Sequence, residues 1–288
     1  MNDTTSSQWI IEKFGNEGTS FGLEVSEQLH EERSEYQFIE VYQTKAFGKL
    51  MLLDGCVMLT DRDNFLYHEM ITHPALFCHP HPQRVVIIGG GDCGTLKEVL
   101  KHPNITHAWQ IEIDERVTRV SEQFFPDLCE SNQDSRAHFY FGDGVEWIKS
   151  CEAETIDIII IDSTDPVGPA AGLFSEAFYR ECHRILKKDG LIVQQSESPL
   201  LHADTIIKNM HSDMRKVGFC HSITLPFPQP VYPTGWWSVT MGSKAINPHE
   251  FRTIDAENKP FETRYYNAAI HQAALAQPEF LQAALKDI

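Results

Sequence analysis

The chain has 288 residues, of which 42% are hydrophobic and 23% charged, so it can bury one large core or two ordinary ones. Its formal net charge of −17 disfavours a nucleic-acid partner, because an acidic protein repels phosphate backbones, and would instead attract a cationic substrate. The seven cysteines are scattered and form no C-x-x-C pair, which is typical of reduced thiols in a cytoplasmic protein.

The N-terminal part of the chain has a β-rich pattern. Residues 1–8 are polar, so they predict no signal peptide, and no apolar run is long enough to span a membrane. Two of the predicted strands flank Asp54 and Gly55, a pair that favours a hairpin turn. The predicted strands cover 37–42, 48–53 and 56–60.

A helix predicted over 67–77 ends at the His-Pro-His-Pro run that begins at residue 79. We place a domain boundary at this break. A small β-domain with its linking helix would cover 1–82, and a larger domain would cover 83–288.

Beyond residue 83 the predicted strands alternate with helices. The strands are apolar throughout, which indicates that both of their faces are buried. This pattern predicts an α/β fold with a doubly wound, mostly parallel sheet. The predicted strands cover 84–88, 108–113, 139–141, 155–161 and 191–194, and the predicted helices cover 95–102 and 175–188.

Polar side chains follow these strands where each one ends. In doubly wound sheets ligands bind outside the carboxyl ends of the strands, so these side chains are expected to share one rim. The rim residues are Asp92, Glu112, Asp143, Asp162, Asp165 and Gln195.

The run Gly-Gly-Gly-Asp-Cys-Gly at 89–94 has the spacing of a nucleotide-binding loop, and Glu112 follows at a distance suited to a ribose hydroxyl. The alternative is a tight turn with close helix packing, but a strand before the loop, a helix after it and Glu112 at the end of the next strand favour a nucleoside site. Asp92 would repel the pyrophosphate of NAD, so the sequence favours a cationic adenosyl sulfonium compound. Asp143 and Gly144 stand where such folds often hold the adenine amino group.

The run Asp-Ser-Thr-Asp-Pro-Val-Gly-Pro at 162–169 places two carboxylates near Asp92. An Asx turn with a helix cap would explain one of them. Clustered carboxylates repel each other unless a cation lies among them, which favours a diammonium substrate. Tyr67 and His68 open the linking helix, where an ordinary surface turn is the alternative. His79 and His81 lack a third ligand at suitable spacing, so no metal site is predicted.

Taken together, these residues resemble those of the polyamine aminopropyltransferases over nearly the whole chain. The resemblance implies a methyltransferase-like sheet domain, a small N-terminal β-domain and a homodimer or homotetramer. It also implies transfer of an aminopropyl group from decarboxylated S-adenosylmethionine to putrescine, giving spermidine and methylthioadenosine without a prosthetic group. The residues that carry it are Gln37, Ala-Phe-Gly at 46–48, Leu-Asp-Gly at 53–55, Tyr-His-Glu-Met at 67–70, Gly-Gly-Gly-Asp at 89–92, Glu-Ile-Asp at 112–114, Asp143 with Gly144, the run at 162–169, Tyr-Pro-Thr-Gly-Trp at 232–236 and Arg-Tyr-Tyr-Asn at 264–267.

The resemblance also assigns roles to individual residues. Asp162 would accept the proton of the attacking amine, and Tyr67 would assist it. Asp92 would hold the amino end of the aminopropyl group. The residues expected to hold the nucleoside co-substrate are Gln37, Asp92, Glu112, Asp143, Gly144 and Pro169. The residues expected to contact the diamine are His68, Asp92, Asp162, Ser163, Thr164, Asp165, Gln195, Tyr232 and Trp237.

The sequence departs from the usual pattern of the family at three places, and alternative acceptors and functions stay open. Cys93 stands where the family usually has glycine, the loop at 229–231 is longer than usual, and Ala268 replaces a familiar proline. The loop leaves the acceptor open among putrescine, cadaverine, agmatine and spermidine. A methyltransferase on the same sheet, an NAD-dependent dehydrogenase and a catalytically idle binding protein are the alternative functions.

Overall fold

The computed structural model describes residues 8–14, 18–164 and 168–288. The N-terminal unit is a five-stranded antiparallel sheet whose strands follow in chain order. Its strands are β1 (Gln8–Phe14), β2 (Thr19–Arg33), β3 (Phe38–Thr44), β4 (Lys49–Leu53) and β5 (Cys56–Thr60).

The predicted hairpin is confirmed. Asp54 and Gly55 join β4 to β5 and have φ values of 49° and 83°. Both angles are positive, as the tight turns that suit the twist of paired strands require. Strands β1 and β2 were not predicted. The side chains of β1 alternate between exposed and half-buried, but the apolar Trp9 and Ile11 are on the exposed side, so the residue types do not reveal the strand.

Helix α1 (Asn64–Cys78) follows the first sheet and packs against the second. Its residues from Tyr67 onwards are all buried, so the helix is covered on every side. The domain boundary at residue 82 stays a prediction. The packing shows that this linking helix lies against the C-terminal sheet.

The second sheet has seven strands in the order β11-β12-β10-β9-β6-β7-β8. The five neighbouring strands β10, β9, β6, β7 and β8 are parallel to one another. Strands β12 and β11 are antiparallel and lie at the β10 edge. The order reverses between β6 and β9, and ligands of doubly wound sheets bind at that point. The strands are β6 (Arg84–Gly89), β7 (His107–Glu112), β8 (Ala137–Phe141), β9 (Ile156–Asp162), β10 (Leu186–Gln195), β11 (His221–Pro228) and β12 (Trp236–Ser243).

Helices cover both faces of this sheet. Alternate residues of β6 enter different cores, with Val85 and Ile87 on one face and Val86 and Ile88 on the other. The predicted doubly wound, mostly parallel sheet with a small N-terminal β-domain is therefore confirmed. The further α-helices are α2 (Gly94–Leu100), α3 (Glu115–Phe124), α4 (Gly144–Ser150), α5 (Glu176–Ile185), α6 (Pro199–His202), α7 (Lys208–Val217), α8 (Thr253–Glu257), α9 (Ala268–Ala274) and α10 (Glu279–Leu285).

The predicted helix over 175–188 is wrong at its end. Helix α5 stops at Ile185, and β10 begins at Leu186, which pairs with Ile156 of β9. The ladder is irregular until Leu191 rejoins it. Pairing with a buried neighbouring strand therefore overrides the local helical pattern. Every other element predicted from residue 37 onwards has a counterpart of the same type, with ends shifted by a few residues.

A buried carboxylate fastens the C-terminal region to α1. Glu69 accepts hydrogen bonds from the backbone amides of Arg264, Tyr265 and Tyr266, at 2.7, 2.8 and 2.7 Å. Glu69 is only 1% exposed, so these bonds replace the water that its charge would otherwise require. We call this arrangement the Glu69 latch.

Candidate active site

The strand ends at the reversal point bring two carboxylates together. Asp162 ends β9, and Asp92 lies just beyond the end of β6. The amide of Gly90 donates to the carbonyl of Asp162 at 2.7 Å. Gly89 has a φ of +83°, and a Cβ there would lie 2.1 Å from the Asp162 carbonyl oxygen. Only glycine permits this contact, so the glycine run has a structural reason as well as its predicted one.

The Asp162 side chain is held at both oxygens. The Tyr67 hydroxyl donates to Oδ1 at 2.7 Å, and the Thr95 hydroxyl donates to Oδ2 at 2.6 Å. Burial and the nearby Asp92 charge raise the pKa of Asp162 above its ordinary value, although the two hydroxyls act in the opposite direction. A carboxylate that is fixed in place and has a raised pKa is suited to accept a proton.

Asp92 is paired with a histidine from α1. Nε2 of His68 lies 3.0 Å from Oδ2 of Asp92, and the amide of Gly94 donates to Oδ1 at 2.7 Å. Burial opposes the charge on both side chains. The pairing nevertheless raises the pKa of His68, and the pairing and the Gly94 amide together lower the pKa of Asp92. A Cβ at position 94 would lie 2.2 Å from the imidazole, so glycine makes room for the His68 ring.

Glu112 lies at the end of β7, as the sequence predicts. Its Oε1 accepts from the amide of Asp114 at 2.9 Å, and burial raises its pKa to about 7. Gln37, in the connection between β2 and β3, donates to Oδ2 of Asp114 at 2.9 Å. The N-terminal domain thus reaches the loop that holds Glu112.

Asp143 and Gly144 begin α4. Asp143 caps the helix by accepting from the amides of Val145 and Glu146, at 2.7 and 3.2 Å. A Cβ at Gly144 would lie 2.7 Å from Ile88, so glycine lets α4 pack closely on β6. Both residues have structural roles, and their predicted contact with a nucleoside stays a prediction.

A pocket lies between the N-terminal sheet and this rim, with an empty volume of about 430 Å³ that includes space open to solvent. Tyr232 donates from its hydroxyl to the Met58 carbonyl at 2.6 Å, which ties the two units together. The Tyr232 ring meets those of Tyr67 and Trp237 edge to face, at 6.0 and 4.8 Å between centroids. The pocket contains six residues predicted for the site, namely Tyr67, Ser163, Thr164, Gln195, Tyr232 and Trp237.

Two predicted site residues cannot be placed. Asp165 and the side chain of Pro169 lie outside the described residues. Among the described residues, no group of three or more His, Cys, Asp or Glu side chains could hold a metal ion. None of the described helices combines the length and apolar character that a bilayer-spanning segment requires.

Comparison with known proteins decides the family. Residues 8–61 match the model of the spermidine synthase tetramerisation domain, and residues 64–252 match that of the spermine/spermidine synthase domain. The chain belongs to the spermine/spermidine synthase family. It is an aminopropyltransferase, an enzyme that transfers an alkyl group other than methyl. The match over 8–61 supports an oligomer.

Individual relatives cover nearly the whole chain. A polyamine aminopropyltransferase of Halorhodospira halophila (strain DSM 244 / SL1) is 57% identical over 95% of this chain and 99% of its own. One from Xanthomonas euvesicatoria pv. vesicatoria (strain 85-10) is 57% identical over 98% of this chain and 99% of its own.

Solved structures agree with the sequence relatives. A spermidine synthase crystallised with the transition state analogue AdoDATO superposes with a TM-score of 0.93 at 33% identity, covering 98% of this chain and 96% of that one. The Thermotoga maritima spermidine synthase gives a TM-score of 0.92 at 33% identity over the same shares.

Sequence reasoning missed residues that the fold of this aminopropyltransferase brings to the site. Thr95 contacts Asp162, and Glu12 and Phe14 of β1 line the pocket. Thr95 directly follows the predicted nucleotide-binding loop, at the start of a predicted helix. That position could have indicated that its hydroxyl lies near the strand ends. Glu12 and Phe14 had no such signal, because apolar and polar residues do not alternate along β1.

Proposed function

We propose that the chain is a spermidine synthase, which transfers an aminopropyl group from decarboxylated S-adenosylmethionine to putrescine. The observation that carries the proposal is the oriented Asp162 carboxylate, held by Tyr67 at the edge of an aromatic-walled pocket. A flexible diamine has an apolar chain between two amines, and this combination of aromatic rings and carboxylates suits it.

The reaction needs a neutral amine. An alkylammonium has a pKa of about 10, by analogy with lysine, so the amine arrives protonated at neutral pH. Asp162 takes one proton from the attacking nitrogen, whose lone pair then displaces the sulfonium sulfur from the aminopropyl carbon. The carbon–sulfur bond breaks as the carbon–nitrogen bond forms, and sulfur leaves as a neutral thioether. No general acid is required.

The pairing of Asp92 with His68 bears on the choice of co-substrate. Asp92 would hold the terminal ammonium of the aminopropyl group. Intact S-adenosylmethionine carries a carboxylate at that end, which the Asp92 charge would repel. Glu112 would accept hydrogen bonds from the ribose hydroxyls, with Gln37, Asp143, Gly144 and Pro169 completing the nucleoside site.

The remaining site residues would hold the acceptor. Tyr232 and Trp237 would enclose the methylene chain, while Gln195, Ser163 and Thr164 would provide polar contacts, and Asp165 would add a charge. Glu12 lines the same pocket and has a carboxylate that could face the distal ammonium. We further propose a cytoplasmic homotetramer or homodimer, and the tetramerisation-domain match supports the larger assembly.

The test is release of methylthioadenosine from decarboxylated S-adenosylmethionine in the presence of putrescine, cadaverine, agmatine or spermidine. We expect putrescine to give the highest kcat/KM. Preference for another amine would correct the acceptor and keep the reaction class. No release with any amine, despite measurable binding of decarboxylated S-adenosylmethionine, would refute the proposal.

A further inference from the structure

Two thiols lie against the loop that carries Asp92. Sγ of Cys93 is 3.7 Å from the Gly91 carbonyl oxygen, and Sγ of Cys129 is 3.7 Å from the Asp92 carbonyl oxygen. The two carbonyls belong to consecutive residues, so both sulfurs touch the same short stretch of backbone. The two thiols also lie close enough to interact, since Cys129 raises the pKa of the Cys93 thiol.

The two cysteines differ in exposure. Cys93 is completely buried, whereas Cys129 is half-buried and can meet small molecules from solvent. The interaction with Cys129 and burial raise the pKa of the Cys93 thiol well above its ordinary value. Cys93 therefore keeps its proton, and Cys129, the more exposed of the two thiols, is the one that meets an oxidant first.

We propose that Cys93 and Cys129 are an oxidation-sensitive pair, which a peroxide converts to a disulfide beside the active site. The Cys129 thiolate attacks one peroxide oxygen, the O–O bond breaks, and the departing hydroxide takes a proton to become water. Cys129 is left as a sulfenic acid. The Cys93 sulfur then attacks the Cys129 sulfur, and the hydroxyl leaves with the Cys93 proton as a second water. A dithiol reverses the change by exchange.

The position of Cys93 connects this chemistry to the site. Cys93 has a φ of +69° and precedes α2, between Asp92 and Gly94. Its neighbours make the two contacts that fix the Asp92 carboxylate, since Asp92 meets His68 and Gly94 supplies an amide. Pulling the Cys93 sulfur onto Cys129 would rotate this backbone and displace Asp92. The predicted loss of turnover rests on the proposed function, whereas disulfide formation does not.

The experiment treats the full-length reduced protein with hydrogen peroxide and follows intact mass, free thiols and turnover together. We expect the mass to fall by that of two hydrogen atoms, and digestion to give a peptide pair joined through Cys93 and Cys129. Turnover should fall about tenfold or more and recover with dithiothreitol, because small displacements of positioning groups are costly.

Variants separate this pair from the other thiols. Cys129→Ser and Cys93→Gly should form no cross-link and keep their turnover in peroxide, while Cys220→Ser, at an exposed cysteine, should behave as the parent. Cys93→Gly also removes a side chain from a left-handed position, so it should fold. A parent protein without the cross-link, or with another pairing, would overturn the proposal. A cross-link that leaves turnover unchanged would overturn its effect on the site. If the untreated protein turns over no amine, the proposed function fails, and the mass measurement still decides whether the pair forms.

Discussion

The hydroxyl of Tyr67 donates a hydrogen bond of 2.7 Å to Oδ1 of Asp162, which joins the linking helix to the carboxyl end of a sheet strand. The bond fixes the direction of the carboxylate and stabilises its charged form. Burial raises the pKa of Asp162 and this bond lowers it. The pKa of Asp162 therefore depends on α1 as well as on β9, two elements that are distant in sequence.

Replacing the base should abolish turnover without abolishing binding. Asp162→Asn keeps the shape of the side chain but cannot take the proton, so kcat should fall by about 10²- to 10⁴-fold. Single-turnover release of methylthioadenosine measures the loss, and calorimetry measures binding of decarboxylated S-adenosylmethionine. A variant with near-parent kcat would remove Asp162 from the mechanism.

Tyr67→Phe should shift the pH dependence. The variant keeps the ring that packs against Tyr232 and removes only the donor to Asp162. Without that donor the pKa of Asp162 rises further, so the acid limb of the kcat/KM profile should move to higher pH. Thr95→Val removes the other donor and should move it the same way. A profile that stays in place for both variants would show that Asp162 does not set the limb.

Glu112 should make co-substrate binding depend on pH near neutrality. Its pKa is raised to about 7, and the carboxylate is the form that accepts from ribose hydroxyls. The Kd for decarboxylated S-adenosylmethionine should therefore rise as pH falls below that value, by up to about tenfold per pH unit. Glu112→Gln should bind roughly 10- to 100-fold more weakly at pH 8, with a flatter dependence. Titrations between pH 5.5 and about 8.5 test both statements.

The same substitution has an opposite effect on the unliganded fold. A raised folded pKa means that Glu112 favours folding below its unfolded pKa, and that this contribution is lost as pH rises through about 7. Glu112→Gln should consequently gain urea resistance relative to the parent as pH rises. Equal urea midpoints across that range would contradict the raised pKa.

Trp237 should limit the length of the acceptor. It is 4% exposed and its ring lies against Tyr232 in the pocket. Trp237→Leu leaves space for a longer chain, so kcat/KM for spermidine relative to putrescine should rise about tenfold or more. Trp236→Leu is the matched control, because Trp236 packs on Phe280 and does not line the pocket. An unchanged ratio in Trp237→Leu would place the length limit elsewhere.

Glu69→Gln should destabilise the protein. An amide presents one acceptor oxygen instead of two and loses the charge that three backbone amides share. We expect a loss of about 2–3 kcal/mol in the free energy of unfolding. Urea denaturation measures it, with the exposed Glu35→Gln as control. Equal midpoints for the two variants would show that the latch contributes little.

The sequence predicted what local rules decide. The turn at Asp54 and Gly55 depends on two residues with positive φ, and the strand ends place Asp162 and Glu112 on the rim by topology alone. Such features need no knowledge of distant contacts. The residue types and their order therefore fix most of the second domain and its row of carboxylates.

Contacts between distant segments could not be predicted in this way. Leu186 leaves the helical pattern because Ile156 lies beside it, and Tyr232 reaches the Met58 carbonyl across the two units. Glu12 lines the pocket because it belongs to β1, an edge strand along which apolar and polar residues do not alternate. Each of these depends on where another part of the chain lies in space.

The Glu69 latch has a consequence for the order in which the enzyme matures. Helix α1 carries Tyr67 and His68, yet Glu69 acquires its backbone partners only from residues 264–266, between 195 and 197 residues later in the chain. During synthesis from the N-terminus the helix therefore emerges well before the residues that hold it. A nascent chain that has not yet reached residue 266 lacks this support beneath Tyr67 and His68.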